Sequence, residues 1–244
     1  MPVVFVHGVP ETASIWDRLR DRIDTDSVAL ALPGFGSPRP SDFAATKEAY
    51  VDWLVAELGQ IDAPIDLVGH DWGGILATRV ATTAAAPLRS WVSDAVTVVD
   101  PAFAWHDLAR TWQTPGEGEA FWDGVRSSPP ADTAALLVAF GVPEQDAVAM
   151  VEAVDETMSG CILDLYRSAD GIGGQWASDD VVGVPGLVLV GAEDAFGDEG
   201  ASRAVATRLG AEVAVIGGAG HWWPLQSLDP VAAALEQFWS GLGD

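Results

Sequence analysis

The sequence predicts an α/β protein, with a mostly parallel sheet carrying helices on both faces and a helical cap inserted after a central strand. Three observations point to it. Short β-branched runs alternate with helical patterns, which is how a parallel sheet covered on both faces reads. The alternation fails between Pro101 and Ala177, where Trp105, Trp112, Trp122 and Trp176 stand among helical segments broken at Pro115-Gly116, Pro129-Pro130 and Gly141-Val142-Pro143. It then resumes. Residues 1–100 and 178–244 are therefore expected to form one core, and 101–177 a cap over the carboxyl ends of the strands, where open α/β sheets bind ligands. The competing reading of the insertion is a plain second helical layer with a tryptophan-rich core.

In chain order, strands are expected near residues 3–6, 28–32, 65–68, 90–99, 187–190 and 212–216, each a short apolar or β-branched run. Helices are expected near 14–23, 47–58, 74–84, 201–209 and 230–242, where apolar residues recur at helical spacing. No internal repeat or low-complexity tract interrupts this order.

Composition bounds the partners. The 244 residues include 36 acidic and 12 basic side chains, a formal charge of -24 that repels phosphate backbones and anionic lipid surfaces. Nucleic acid and membrane are thus excluded as expected partners, and the reading allows for a homodimer. The one cysteine, Cys161, cannot form an internal disulfide and is expected to be a buried apolar thiol. With no leader pattern or long apolar stretch in the sequence, a cytoplasmic location is expected.

The chemistry concentrates at strand ends. Gly69-His70-Asp71-Trp72-Gly73-Gly74 follows the run Ile65 to Val68 and has the layout of a nucleophile elbow, with a carboxylate where a serine would stand. Asp71 could instead cap the following helix, a common use of aspartate. The flanking glycines favour the elbow, because a tight strand-to-helix turn has no room for side chains. His7-Gly8-Val9-Pro10 follows the first strand as an oxyanion loop, and the N–H groups of Val9 and Trp72 could together hold a tetrahedral intermediate at the Asp71 carboxyl carbon. His7 and His70 lie on motif backbones and are read as structural hydrogen-bonding residues. Gly191-Ala192-Glu193-Asp194 ends an apolar strand, so Asp194 is the chosen partner of a histidine, with Glu193 and Asp100 as competitors. That histidine is His221, flexibly placed by Gly218-Ala219-Gly220.

Asp71, Asp194 and His221 stand in the nucleophile, acid, histidine order of the α/β-hydrolase fold. With the His7-Gly8-Val9-Pro10 loop, the elbow resembles the epoxide hydrolase and haloalkane dehalogenase branch of that superfamily over nearly the whole chain. The resemblance implies that Asp71 attacks carbon to form an ester, which water activated by His221 then cleaves, with no cofactor and no metal. It also implies that Tyr166, in Asp164-Leu165-Tyr166-Arg167, is a cap tyrosine that hydrogen-bonds an opening epoxide, with His106 in place of the usual second tyrosine. A dehalogenase would instead need halide donors, for which Trp72 with Trp105 or Trp112 are the candidates. Arginines that hold a haloacid carboxylate are missing after the nucleophile. The leading expectation is an epoxide hydrolase acting on a small apolar substrate held by Trp72, Trp105 and Trp112. The alternatives are a haloalkane dehalogenase with the same nucleophile and a non-catalytic ligand-binding protein on the same scaffold.

Overall fold

Alternate residues of the first strand face opposite sides of the sheet and are buried on both. Val4 and Val6 pack in one apolar cluster while Val3 and Phe5 pack in the other. The structure, a computed structural model, describes residues 1–243. β1 (Val3–Val6) leads through a 3₁₀ turn (Ala13–Trp16) to α1 (Asp17–Arg20), then β2 (Ser27–Leu30), α2 (Lys47–Leu58), β3 (Ile65–Gly69), α3 (Trp72–Thr83) and β4 (Leu88–Ser93). A helical insertion follows, comprising α4 (Asp107–Gln113), α5 (Glu117–Ser127), α6 (Pro130–Ala139), α7 (Glu144–Glu152), α8 (Glu156–Ser168) and α9 (Ile172–Trp176). The sheet then resumes with β5 (Gly186–Gly191), α10 (Glu199–Leu209), β6 (Glu212–Ile216), α11 (Trp223–Gln226) and α12 (Leu228–Gly241).

The six strands run in the order β2-β1-β3-β4-β5-β6, and every neighbouring pair is parallel. The order reverses around β1, so the loops leaving β1 and β3 diverge and open a crevice at their carboxyl ends. Helix α2 shows how the covering layer is built. Thr46 caps it by accepting from the Ala49 N–H, and Tyr50, Leu54 and Leu58, one turn apart, form its buried face. Asp66, a carboxylate on β3, is buried but answered by Arg89 at 2.9 and 2.5 Å and by the Ser90 hydroxyl at 2.5 Å, all from β4.

Two expected elements differ. The strand expected over 90–99 ends at Ser93, and Val96–Val99 form a 3₁₀ turn whose valines are buried. Their apolar character serves packing, which β-branched residues serve equally well outside a ladder. The helix expected over 14–23 is a 3₁₀ turn followed by a single α-turn that ends at Arg20. Among the described residues no helix is long and apolar enough to cross a membrane.

The turn after β3 depends on missing side chains. A Cβ on Gly69 would lie 2.1 Å from the Gly73 carbonyl oxygen, and one on Gly73 would lie 2.0 Å from that of Val6. Gly73→Ala is expected to force α3 away from β1 and lower the melting temperature sharply or prevent folding. Gly124→Ala, on α5 with nothing within 4 Å, should be neutral or add about 0.5–1 kcal/mol. Thermal denaturation of the two variants checks the contrast.

Candidate active site

Asp71 sits between β3 and α3 at φ 50° and ψ -119°, a left-handed, strained conformation for a residue with a side chain. Strain of this kind persists only where the surroundings impose it. Here the Asp71 N–H donates to Asp94 Oδ1 at 2.9 Å, and the side chain turns to the cavity instead of capping α3. The helix-cap reading of Asp71 therefore fails on geometry. Gly8 allows the approach of the oxyanion loop, since a Cβ there would collide with Asp71 Oδ1 at 2.3 Å. The Val9 N–H points at this carboxylate and donates to Oδ1 at 2.8 Å. The Trp72 N–H also bears on it and favours its charged form.

His221 lies across from the elbow, with Nε2 3.9 Å from Asp71 Oδ2 and Nδ1 3.2 Å from Asp194 Oδ2. The longer distance is beyond hydrogen bonding, so Oδ2 of Asp71 is not tied up by the imidazole. The competing acids are elsewhere. Asp100 pairs with Arg208 at 3.1 Å, and Glu193 is exposed. Asp194 alone of the three meets His221.

Burial pushes Asp71 up to about 6, against the opposing pull of the His221 and His70 charges. Burial alone would lower His221, but the Asp194 hydrogen bond and the Asp194 and Asp71 charges outweigh it, leaving the imidazole above its ordinary value.

Behind the elbow lies a cluster that the sequence did not announce. His70, completely buried, has Nδ1 2.5 Å from Asp94 Oδ2 and Nε2 2.9 Å from Glu11 Oε1. The Glu11 contact is an ion pair without aligned hydrogen-bond geometry. Burial opposes a charge on His70, but the two carboxylates hold its pKa well above normal, so it is an imidazolium. His7 behaves as expected of a structural histidine, bonded to the Gly8 carbonyl and the Leu32 N–H. The His70 imidazole bonds no backbone group. Its partners do so instead: Glu11 accepts from the Gly8 N–H at 2.8 Å, and Asp94 accepts from the Asp71 N–H and from the Trp223 indole at 2.7 Å. One cation thus ties the oxyanion loop, the elbow and the histidine loop.

The insertion closes a cavity of about 570 Å³ over these groups, lined by Asp71, Asp94, His221, Tyr166, His106 and an apolar majority that includes Trp105 and Trp112. Tyr166, on α8, is nearly buried and packs edge-on to Trp72 and Trp112. Burial and the Asp71 charge keep its hydroxyl protonated. His106 caps α4, its Nδ1 accepting the Ala109 N–H at 3.2 Å. An accepting Nδ1 places the proton of the neutral ring on Nε2, and burial followed by the His221 charge lowers the His106 pKa and keeps it neutral. Trp72 corrects the expectation of direct substrate contact. Its ring is fully buried, stacked behind Trp105 at 5.7 Å, and it does not line the cavity. Trp105 and Trp112 do line it, but the Trp105 indole N–H is spent on the Ala169 carbonyl at 2.9 Å. The indole nitrogens of Trp72 and Trp112 are sealed from any open space and lack partners among the described residues. Cys161 is buried, as expected. Among the described residues, no group of His, Cys, Asp and Glu side chains could hold a metal ion.

A family model described as the alpha/beta hydrolase family matches residues 3–234. The chain belongs to that family. This alpha/beta hydrolase is 36% identical over 105 residues to lipase LipV of Mycobacterium tuberculosis, across 42% of this chain and 38% of that one. It is also 36% identical over 87 residues to epoxide hydrolase 4 of Mus musculus, across 32% of this chain and 23% of that one. The matched segments therefore span well under half the length of these curated relatives. Among solved structures, a proposed epoxide hydrolase from Pseudomonas aeruginosa superposes with a TM-score of 0.80 at 20% identity, covering 99% of this chain and 89% of that one. A loop variant of the haloalkane dehalogenase DbeA from Bradyrhizobium elkanii gives 0.73 at 18% identity, covering 99% and 91%. At such identities the likeness is one of fold. The alpha/beta hydrolase fold expected from the sequence is the one observed.

The buried cluster yields a stability prediction. His70→Asn would leave Glu11 and Asp94 without their cation, and removing one member of a buried ionic group costs about 3–5 kcal/mol. Urea denaturation should show that loss, whereas a change within about 0.5 kcal/mol would mean that the cluster does not bear on stability.

Proposed function

We propose that this hydrolase opens apolar epoxides to diols through an ester on Asp71. The observation that carries the proposal is the division of labour at the Asp71 carboxylate. Oδ1 rests on the Val9 N–H, while Oδ2 is free and turned toward His221. In the first step Oδ2 attacks an epoxide carbon, the ring C–O bond breaks, and the leaving oxygen takes a proton from Tyr166 or the Nε2–H of His106. In the second, His221 takes a proton from water, and the resulting hydroxide adds to the Asp71 carboxyl carbon. Negative charge then develops on Oδ1, already bonded to the Val9 N–H, and the Trp72 N–H favours charge on the same carboxylate. Collapse releases the diol, whose oxygen takes the proton from His221; the second water proton, left on the Asp71 carboxyl, returns to the donor that lost one in the first step, and the Asp71 carboxylate and that donor are both restored. Asp194 holds the imidazole and favours its charged form.

Proton donors decide between epoxide and halide. An alkoxide leaving group needs an O–H or N–H donor in the cavity, and both Tyr166 and His106 line it. A halide needs indole or amide N–H donors facing it, and the indoles of Trp72, Trp105 and Trp112 are sealed or already bonded. The geometry thus favours epoxide opening over dehalogenation. Because the helices from α4 to α9 roof the cavity, we assign them the role of a cap, and the apolar lining selects a substrate to match.

Incubating His221→Gln protein with styrene oxide and with a panel of bromoalkanes tests the proposal, because removing the base should arrest the reaction at the ester. Mass spectrometry is expected to find the styrene oxide adduct on the peptide containing Asp71, forming ever more slowly as the pH falls through about 6 and the carboxylate is protonated. An alkyl adduct from bromoalkanes alone would establish dehalogenation instead, and no adduct from either class would refute the nucleophile.

A further inference from the structure

Helices α6 and α7 form a pair whose residues, among them Leu136, Leu137, Phe140 and Met150, help to line the cavity. Ala134, Val142, Ala147 and Val151 share an apolar cluster with Trp222 and Leu225, in the segment that directly follows His221. Two polar ties join the same parts. Arg18 donates to Asp146 on α7 at 2.6 Å and to the Leu225 carbonyl at 3.5 Å. Gln226, at the end of α11, uses both ends of its amide: Oε1 accepts from the Gly220 N–H at 2.7 Å, and Nε2 donates to the Gly141 carbonyl at 2.6 Å. Gly141 is the turn between α6 and α7, at φ +99°, and a Cβ there would press on Nε2 at 3.0 Å. The tie is thus fitted to a residue without a side chain.

We propose that Gln226 is a positioning residue that couples the α6–α7 pair to the loop of His221. The proposal rests on reading His221 as the base of the second step. Gly220 precedes His221 in the chain, so the Gln226 carbonyl fixes the backbone from which the imidazole reaches toward Asp71. The amide N–H fixes that same side chain against the helix pair that a substrate presses on. A substrate filling the part of the cavity lined by α6 and α7 therefore bears, through Gly141 and Gln226, on the group that activates water. Its link to Asp71 is less direct, running through Trp223 and Asp94, and Asp71 is held besides by Val9 and the start of α3. The tie should matter for ester hydrolysis and hardly at all for ester formation.

Two substitutions separate this role from loop folding. Gln226→Leu removes both bonds, while Gln226→Glu keeps an acceptor for Gly220 but sets a carboxylate oxygen against the Gly141 carbonyl. Single-turnover kinetics with styrene oxide resolve the two steps, and NMR of the imidazole nitrogens follows the titration of His221 without any substrate. In both variants we expect ester formation within about twofold of the parent and hydrolysis slower by roughly tenfold to a hundredfold, the scale of a small misplacement of a catalytic group, with a shifted His221 titration. Equal slowing of both steps with a lowered melting temperature would reduce Gln226 to a structural residue and overturn the proposal. So would a Gln226→Glu protein that hydrolyses the ester like the parent, or an unchanged His221 titration in both variants. If the parent itself forms no ester, the reading of Asp71 fails, and the His221 titration still decides whether Gln226 positions the imidazole.

Discussion

A carboxylate must stay charged at the floor of an apolar cavity, and most of what is unusual in this structure answers that demand. Burial pushes Asp71 toward its neutral form, and the Val9 N–H, the Trp72 N–H and the His70 and His221 charges push back. The cation behind the elbow needs support of its own. Glu11 and Asp94 supply it, and with their other oxygens they hold the Gly8 and Asp71 N–H groups, while the Asp94 oxygen that meets His70 also accepts from the Trp223 indole. The His70 charge, which with the larger effect of His221 favours the charged form of Asp71, is therefore also the point where three loops from three strand ends are fastened. A site built this way gains position and charge from the same buried bonds, and losing one member disturbs both.

The balance leaves the two oxygens of Asp71 in unlike surroundings. A carboxylate stripped of water and given one firm hydrogen bond keeps a second oxygen with little to stabilise it until it meets an electrophile. The strained backbone at Asp71 is part of the arrangement, because it is what aims that oxygen away from the α3 N-terminus and into the cavity. Across the cavity, His221 stands too far to share its proton with Asp71 but close enough to reach a water placed on the ester. The two oxygens of one side chain thus acquire different tasks from different neighbours.

Much of this was legible in the chain. The strands were found because they are short apolar runs, and the elbow because only glycine tolerates the contacts around it, as Gly69 and Gly73 confirm in space. The pairing of Asp194 with His221 followed from a simple rule, that functional side chains gather at strand carboxyl ends. The same rule missed Asp94 for an identifiable reason. The apolar valines after Ser93 extended the expected strand to Val99, so Asp100 was taken as its end, whereas the ladder stops at Ser93 and Asp94 is the next residue. Glu11 was missed because it gains meaning only when the fold brings it against His70. The sequence offers Trp72, Trp105 and Trp112 as halide donors for the alternative reading but does not show where their N–H groups point, because composition reports only how many indoles a site has.

The account stands on the claim that Asp71 bonds covalently to the substrate and that water attacks its carboxyl carbon. One turnover in heavy-oxygen water, with enzyme in excess over styrene oxide, tests this most directly. The account predicts a first diol free of the label, its new oxygen drawn from Asp71, and heavy oxygen retained in the peptide that contains Asp71. Label in the diol of that first turnover, with none in the protein, would contradict it.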